Sequence, residues 1–203
     1  VISSHWTPQS MLRRWGADVL RKLVPLSKSS NIILTAHPKL WELTETEDFS
    51  PGTLWQRLAE IEAQNPNIRI LKQANSLPLL NATDVLISGN SSIRIEYAVL
   101  ERPALFYKSP GGHFTSSHVQ SLYEKSAYTF SQLEGLDELV RTALSQPDAG
   151  IEGTRELKQQ FHANLGHSAA TMADVIRKIG RISSPASPGW KKAQEISLQS
   201  QGN

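Results

Sequence analysis

Apolar positions along the chain follow two alternating rhythms. Short, continuous apolar runs read as strands: VISS at 1–4, NIILTA at 31–36, NIRIL at 67–71, DVLIS at 84–88, PALFY at 103–107 and AYTF at 127–130, the last as an edge strand. Between them the spacing turns helical. Leu12, Trp15, Val19, Leu20 and Leu23 recur along one predicted helix that Pro25 ends. Ser50 is a natural N-cap with Pro51 at the first helical position, and Leu54, Leu58 and Ile61 share a face. A short helix is expected over 76–83 and another in SIRIEYAVL; from Leu136 onward the pattern is helical only, through Leu144, then 157–161, then Met172, Val175, Ile176 and Ile179.

Strands that are apolar throughout and alternate with helices call for a parallel sheet covered on both faces. With right-handed crossovers this is an α/β, doubly wound, Rossmann-like sheet. After Gly180 the sequence turns to Ser, Gln and Pro. The expected division is therefore a Rossmann-like domain over 1–182 and a loose tail over 183–203.

Composition narrows the function. With 203 residues, 39% hydrophobic and 20% charged, the chain has enough apolar surface for a sizeable core. A net charge of +2, with its 21 Lys and Arg residues spread out, argues against nucleic acid as a partner. The absence of cysteine removes disulfides, thiolate metal sites and a thiol nucleophile, and fits a reducing, cytoplasmic setting. The chain opens on Val1 inside a strand-like segment, so a piece of a longer protein is expected.

In a sheet of this kind ligands bind beyond the carboxyl ends of the strands. Those positions carry His5, Trp6 and Thr7; His37, Pro38 and Lys39; Gly89, Asn90, Ser91 and Ser92; and Lys108, Ser109, Gly111, Gly112 and His113. Gly89 permits close backbone approach, and the helix opening near Ser92 offers free N–H groups and hydroxyls to a phosphate. Capping by Ser91 or Ser92 is the competing and commoner use of such residues, and the neighbouring cationic and glycine-bearing loops shift the balance toward binding. Glu96, one turn further on, either accepts from a ribose diol or pairs with Arg94 or Arg102. His37 can contact phosphate, move a proton, or pack at its turn. Trp6 is the indole suited to base stacking, while Trp15 and Trp55 belong to helices and the core. No HxH or HExxH spacing and no acidic cluster points to a metal.

The segment LPLLNATDVLISGNSSIRIEYAVLERPALFY resembles the signature of the CDP-glycerol glycerophosphotransferase family, the teichoic-acid and capsule polymerases. Its aspartate-containing strand, its Ser-Ser pair opening a helix, its acid four positions on and its RP-apolar-Phe-Tyr strand all have counterparts there. ILTAHPK, ISSHW and NLGHSAATMADVI are similar to the family's His-Pro strand end, first C-domain strand and closing helix. Gly89-Asn90 stands where the family commonly has Asp-Tyr, and His5 where it has a turn threonine.

The resemblance implies the C-terminal, donor-binding half of a two-domain GT-B transferase, with an N-terminal domain that this chain lacks and that supplies the base for the acceptor. It implies a nucleotide-diphosphate-linked donor such as CDP-glycerol, a cell-surface polymer as acceptor, and work at the inner face of the membrane; no cofactor is expected. Peripheral membrane association is thus an expectation from the family, although GWKKAQEISLQ is too weakly amphipathic for an anchor. The candidate set is His37 as catalytic residue, with Ser91, Ser92, Glu96, Asn90, Gly89, His5, Trp6 and Lys108 binding the donor. Two other readings stay open: a GT-B glycosyltransferase or UDP-N-acetylglucosamine 2-epimerase-like protein using a UDP-sugar, and a non-catalytic binding module.

Overall fold

Six strands form one parallel sheet among the residues that the computed structural model describes, namely 1–44, 46, 49–72, 77–112, 114 and 116–179. They are β1 (Ile2–Ser4), β2 (Ile32–Ala36), β3 (Ile68–Leu71), β4 (Leu86–Ser88), β5 (Ala104–Tyr107) and β6 (Tyr128–Phe130). Their order is β3-β2-β1-β4-β5-β6, with every pairing parallel and β6 at an edge. The chain winds outward from β1 to β3, crosses back, and winds outward again from β4. The point where the direction reverses, between β1 and β4, is where such sheets open a ligand crevice.

The central strands β2, β1, β4 and β5 are buried on both faces, while the edge strands β3 and β6 are partly exposed, and side-chain alternation divides the two faces. Ile2, Leu34, Ile87, Leu105 and Tyr107 face one layer, built of α1 (Met11–Trp15), α2 (Asp18–Leu23), α4 (Pro51–Gln64) and α8 (Leu136–Ser145). Leu86 and Ala104 face the other with Leu80 of α5 (Leu77–Asn81) and Tyr97 of α6 (Ile93–Ala98). Phe106 joins Leu122 of α7 (Ser117–Lys125) and Leu157 of α9 (Ile151–Phe161) on the same side. This is the doubly wound, Rossmann-like arrangement that the sequence calls for.

Local departures from the periodicity have physical causes. The helix predicted through Trp15 and Val19 breaks at Gly16, whose φ of 56° lies in the left-handed region that glycine enters freely. Pro25 does not end the helical segment but sits in the first turn of a 3-10 helix, Val24–Lys28, where a missing N–H costs nothing. Ser50 caps α4 as expected, its hydroxyl accepting from the Thr53 N–H. The short helix α3 (Pro38–Trp41) directly after β2 is an addition.

The chain divides into two compact units, Val1–Phe161 and His162–Asn203. The second contains α10 (Ser168–Ile179), where the Ser168 hydroxyl donates to the Asn164 carbonyl at 3.0 Å. The expected tail at 183–203 lies outside the described residues. Among the described residues no helix is long and apolar enough to cross a membrane.

Candidate functional site

Parallel register carries hydroxyls side by side to the carboxyl edge of the sheet. Ser3 pairs with Thr35 on one flank and with Ser88 on the other, so all three project to the face covered by α6. Each is buried; the Ser88 hydroxyl is fully so and has no hydrogen-bond partner. One residue further on, the His37 N–H donates to the Ser4 carbonyl at 2.9 Å, which carries the β1–β2 ladder up to the histidine.

Above this floor lies a cavity of about 280 Å³, walled by His37 and Pro38 on one side and by Ser91, Ser92 and Glu96 on the other. Four of the candidate residues thus meet in one place. His37 occupies the N-cap position of α3, and its Nδ1 accepts the Lys39 N–H at 3.2 Å. While it caps the helix, the proton of the neutral ring is on Nε2, which leaves an N–H donor free for a ligand. Ser92 is the N-cap of α6 but makes no side-chain capping bond. The capping role weighed against phosphate binding is therefore not the one its hydroxyl performs.

The Ser-Ser turn is held from behind. The Ser91 carbonyl accepts from the Arg94 N–H and from the Tyr123 hydroxyl, both at 3.1 Å. Burial pushes the Tyr123 phenol up to about 12, so it stays a donor at neutral pH. Arg94 is fully buried, its guanidinium donating to the Ser126 carbonyl while Nε and Nη1 have no partner. Arg102 donates to the Asn81 and Thr83 carbonyls at 2.9 and 2.8 Å. Glu96, exposed, makes an ion pair with neither arginine and lines the cavity.

Aromatic rings gather around His37. The His5 ring lies 5.2 Å from that of His37 and 5.6 Å from that of Trp6, between centroids, and Trp6 is 6.4 Å from His37. The Lys39 ammonium sits 5.0 Å from the centre of the Trp6 ring. Burial first, then the neighbouring His37 and Lys39, hold the His5 imidazole below its ordinary value.

The loop from Gly89 to Ser92 does not form one cradle. Gly89 and Asn90 line a second cavity of about 300 Å³, with His5, Thr7, Ser10 and Tyr107. Lys108 belongs to neither cavity: its ammonium pairs with Glu124 at 2.9 Å, and its N–H extends the ladder to Phe130. His113 lies outside the described residues. Among the described residues no group of three or more His, Cys, Asp or Glu could hold a metal.

Sequence reasoning did not single out Ser3, Thr35, Ser10, Lys39 or Tyr123. Lys39 stands among the strand-end residues and was legible as a cation there. The hydroxyls become visible only once strand order puts β1 between β2 and β4.

Residues 51–117 match the family described as CDP-glycerol:poly(glycerophosphate) glycerophosphotransferase. The match takes in Gly89 through Glu96 and Lys108, and stops short of His5, Trp6 and His37. Over that segment the chain is glycerophosphotransferase-like, as its Ser-Ser and RP-apolar-Phe-Tyr motifs imply. The fold is similar to that of HepE from Anabaena, solved in complex with UDP, with a TM-score of 0.50 and 14% identity. The likeness covers 85% of this chain and 48% of HepE, so this chain spans about half the length of that neighbour. No curated protein matches the chain.

Proposed function

We propose that this chain is the donor-binding half of a transferase that moves a polyol-phosphate group from a CDP-linked donor to a cell-surface polymer. The observation that carries the proposal is the convergence of His37, Ser91, Ser92 and Glu96 on one cavity beside the β1–β4 switch point. The donor diphosphate lies against the N–H and hydroxyl groups of Ser91 and Ser92, with His37 Nε2–H directed at a phosphoryl oxygen. Trp6 and Lys39, beside His37, are suited to a base and a negative charge. Glu96 accepts from a ribose hydroxyl.

In the reaction the acceptor hydroxyl oxygen attacks the phosphorus that bears the polyol. The new P–O bond forms as the bond to the bridging oxygen breaks, and CMP departs with the electron pair. The acceptor proton passes to a base supplied by a domain outside this chain. His37 and the Ser-Ser turn stabilise the charge that builds on the leaving phosphate. The family likeness favours work at the cytoplasmic face of the membrane. A UDP-sugar donor is the second reading, favoured by the similarity to a protein crystallised with UDP.

Titration calorimetry with CDP-glycerol, CMP and a UDP-sugar tests both readings. CDP compounds are expected to bind, more tightly than the UDP-sugar, and His37→Asn, which keeps a capping acceptor, is expected to weaken them. Silence toward all three ligands would remove the proposal.

A further inference from the structure

The second cavity faces the crevice from the other side of the β1–β4 junction, and its chemistry differs from the first. Thr7, Gln9, Ser10, Asn90 and Ser109 line it with neutral polar groups, and neither a lysine nor a carboxylate takes part; His5 is its one titratable side chain apart from Tyr107. Gly89, Gly111 and Gly112 add bare backbone to the wall. The site is knitted together, because the Ser109 hydroxyl donates to the Gln9 carbonyl at 2.9 Å and joins the β5 loop to the β1 loop.

Ser10 is the telling residue. It is 7% exposed and stands at the N-cap of α1, yet makes no capping bond, and its hydroxyl has no hydrogen-bond partner. A buried hydroxyl without a partner is unfavourable, and one that lines a polar cavity can be satisfied by a ligand that enters it. The loop of residues 89–92 supplies the link: Ser91 and Ser92 border the first cavity, and Gly89 and Asn90 the second. The two cavities therefore share one four-residue loop, so a group attached to a phosphate in the first has the second as its neighbour.

From this we infer that the cavity around Ser10 and Gly89 seats the uncharged, hydroxyl-bearing moiety of the nucleotide-linked donor. The inference rests on the proposed donor-binding function and adds where the polyol sits and what holds it. Neutral hydrogen-bonding walls select a polyol over a second charged group, since no cation or anion in the lining compensates a buried charge.

Two substitutions read this out. Ser10→Ala removes the hydroxyl but no internal hydrogen bond, so the unliganded protein keeps its melting temperature. Gly89→Ala adds a methyl group that would meet the Tyr107 ring and carbonyl at 3.7 and 3.9 Å, an ordinary contact that narrows the cavity without strain. Calorimetry compares CDP-glycerol with CDP, which keeps the diphosphate and lacks the polyol. The wild-type chain is expected to prefer CDP-glycerol, and each variant to lose about fivefold to tenfold in affinity for it with CDP unchanged. Equal binding of the two ligands by wild type, or variants that weaken both alike or neither, overturns the polyol seat and leaves the nucleotide site standing. A wild-type chain that binds neither ligand overturns the donor-binding function and the seat with it.

Discussion

The imidazole rings of His5 and His37 lie 5.2 Å apart although they follow different strands, and each belongs to a different one of the two cavities. They meet because β1 and β2 are neighbours in parallel register, so the strands end side by side.

This pairing sets a pH dependence. His5 is held below its ordinary value by burial, by His37 and by Lys39, so the unfolded chain binds its proton more readily than the folded one. The stabilisation is complete above the ordinary imidazole range near 6.5 and is lost as pH falls through it. Thermal unfolding from pH 8 to pH 5 should show wild type losing more melting temperature than His5→Gln over this window; parallel curves would rule His5 out. A phosphate in the crevice opposes the effect, so CMP affinity should rise as pH falls from 8 to 6.

Ser92→Ala separates binding from folding. With no side-chain cap to lose, the variant should unfold within about 0.5 kcal/mol of wild type in urea. Its affinity for CMP should drop about tenfold, the scale of one hydrogen bond to a charged oxygen. A clear stability loss with unchanged affinity would return Ser92 to a structural role.

Arg94 is a buried cation whose pKa burial lowers to about 10 and which has no carboxylate partner among the described residues. Arg94→Met, which fills similar space without a charge to desolvate, should leave stability within about 1 kcal/mol of wild type. Arg94→Ala should cost about 2–4 kcal/mol through the cavity it opens. Denaturant melts of the pair distinguish the two effects, and a large loss in the methionine variant would mean that the bond to Ser126 dominates.

Gly153 fixes how closely α9 approaches the end of α7. A Cβ there would overlap the Lys125 carbonyl, a backbone atom that cannot turn aside. Gly153→Ala should destabilise by about 1–3 kcal/mol, visible as a lower melting temperature. Because no residue of α9 lines either cavity, the CDP affinity of the protein that remains folded should be unaltered.

Much of the scaffold could be read from residue order. Buried parallel strands leave apolar runs such as 31–36 and 103–107, and their alternation with helices leaves few other arrangements. The break at Gly16 could not be read, because Trp15 and Val19 keep helical spacing across it while only the backbone turns. Nor could α3, because histidine is an uncommon cap and His37 acts as one through its ring nitrogen.

The grouping of the candidate site residues was legible at the level of loops and hidden at the level of faces. That His37, Ser91, Ser92 and Glu96 share a cavity follows from their strand-end positions. That Gly89 and Asn90 line a different one depends on how the turn leaves β4, which no residue spacing encodes. Lys108 has the charge a phosphate site wants, but its ammonium is paired with Glu124 on α7 and it lines neither cavity.

The central position of β1 has a consequence for how the protein is made. Its ladder with β4 joins the start of the chain to Ile87 and Ser88, so both cavities stay unbuilt on the ribosome until that distant strand has been synthesised and has docked. A nascent chain that has emerged only through β3 can pair β1 with β2 and β2 with β3 yet holds neither cavity, because the first waits for the turn after β4 and the second also for the loop after β5.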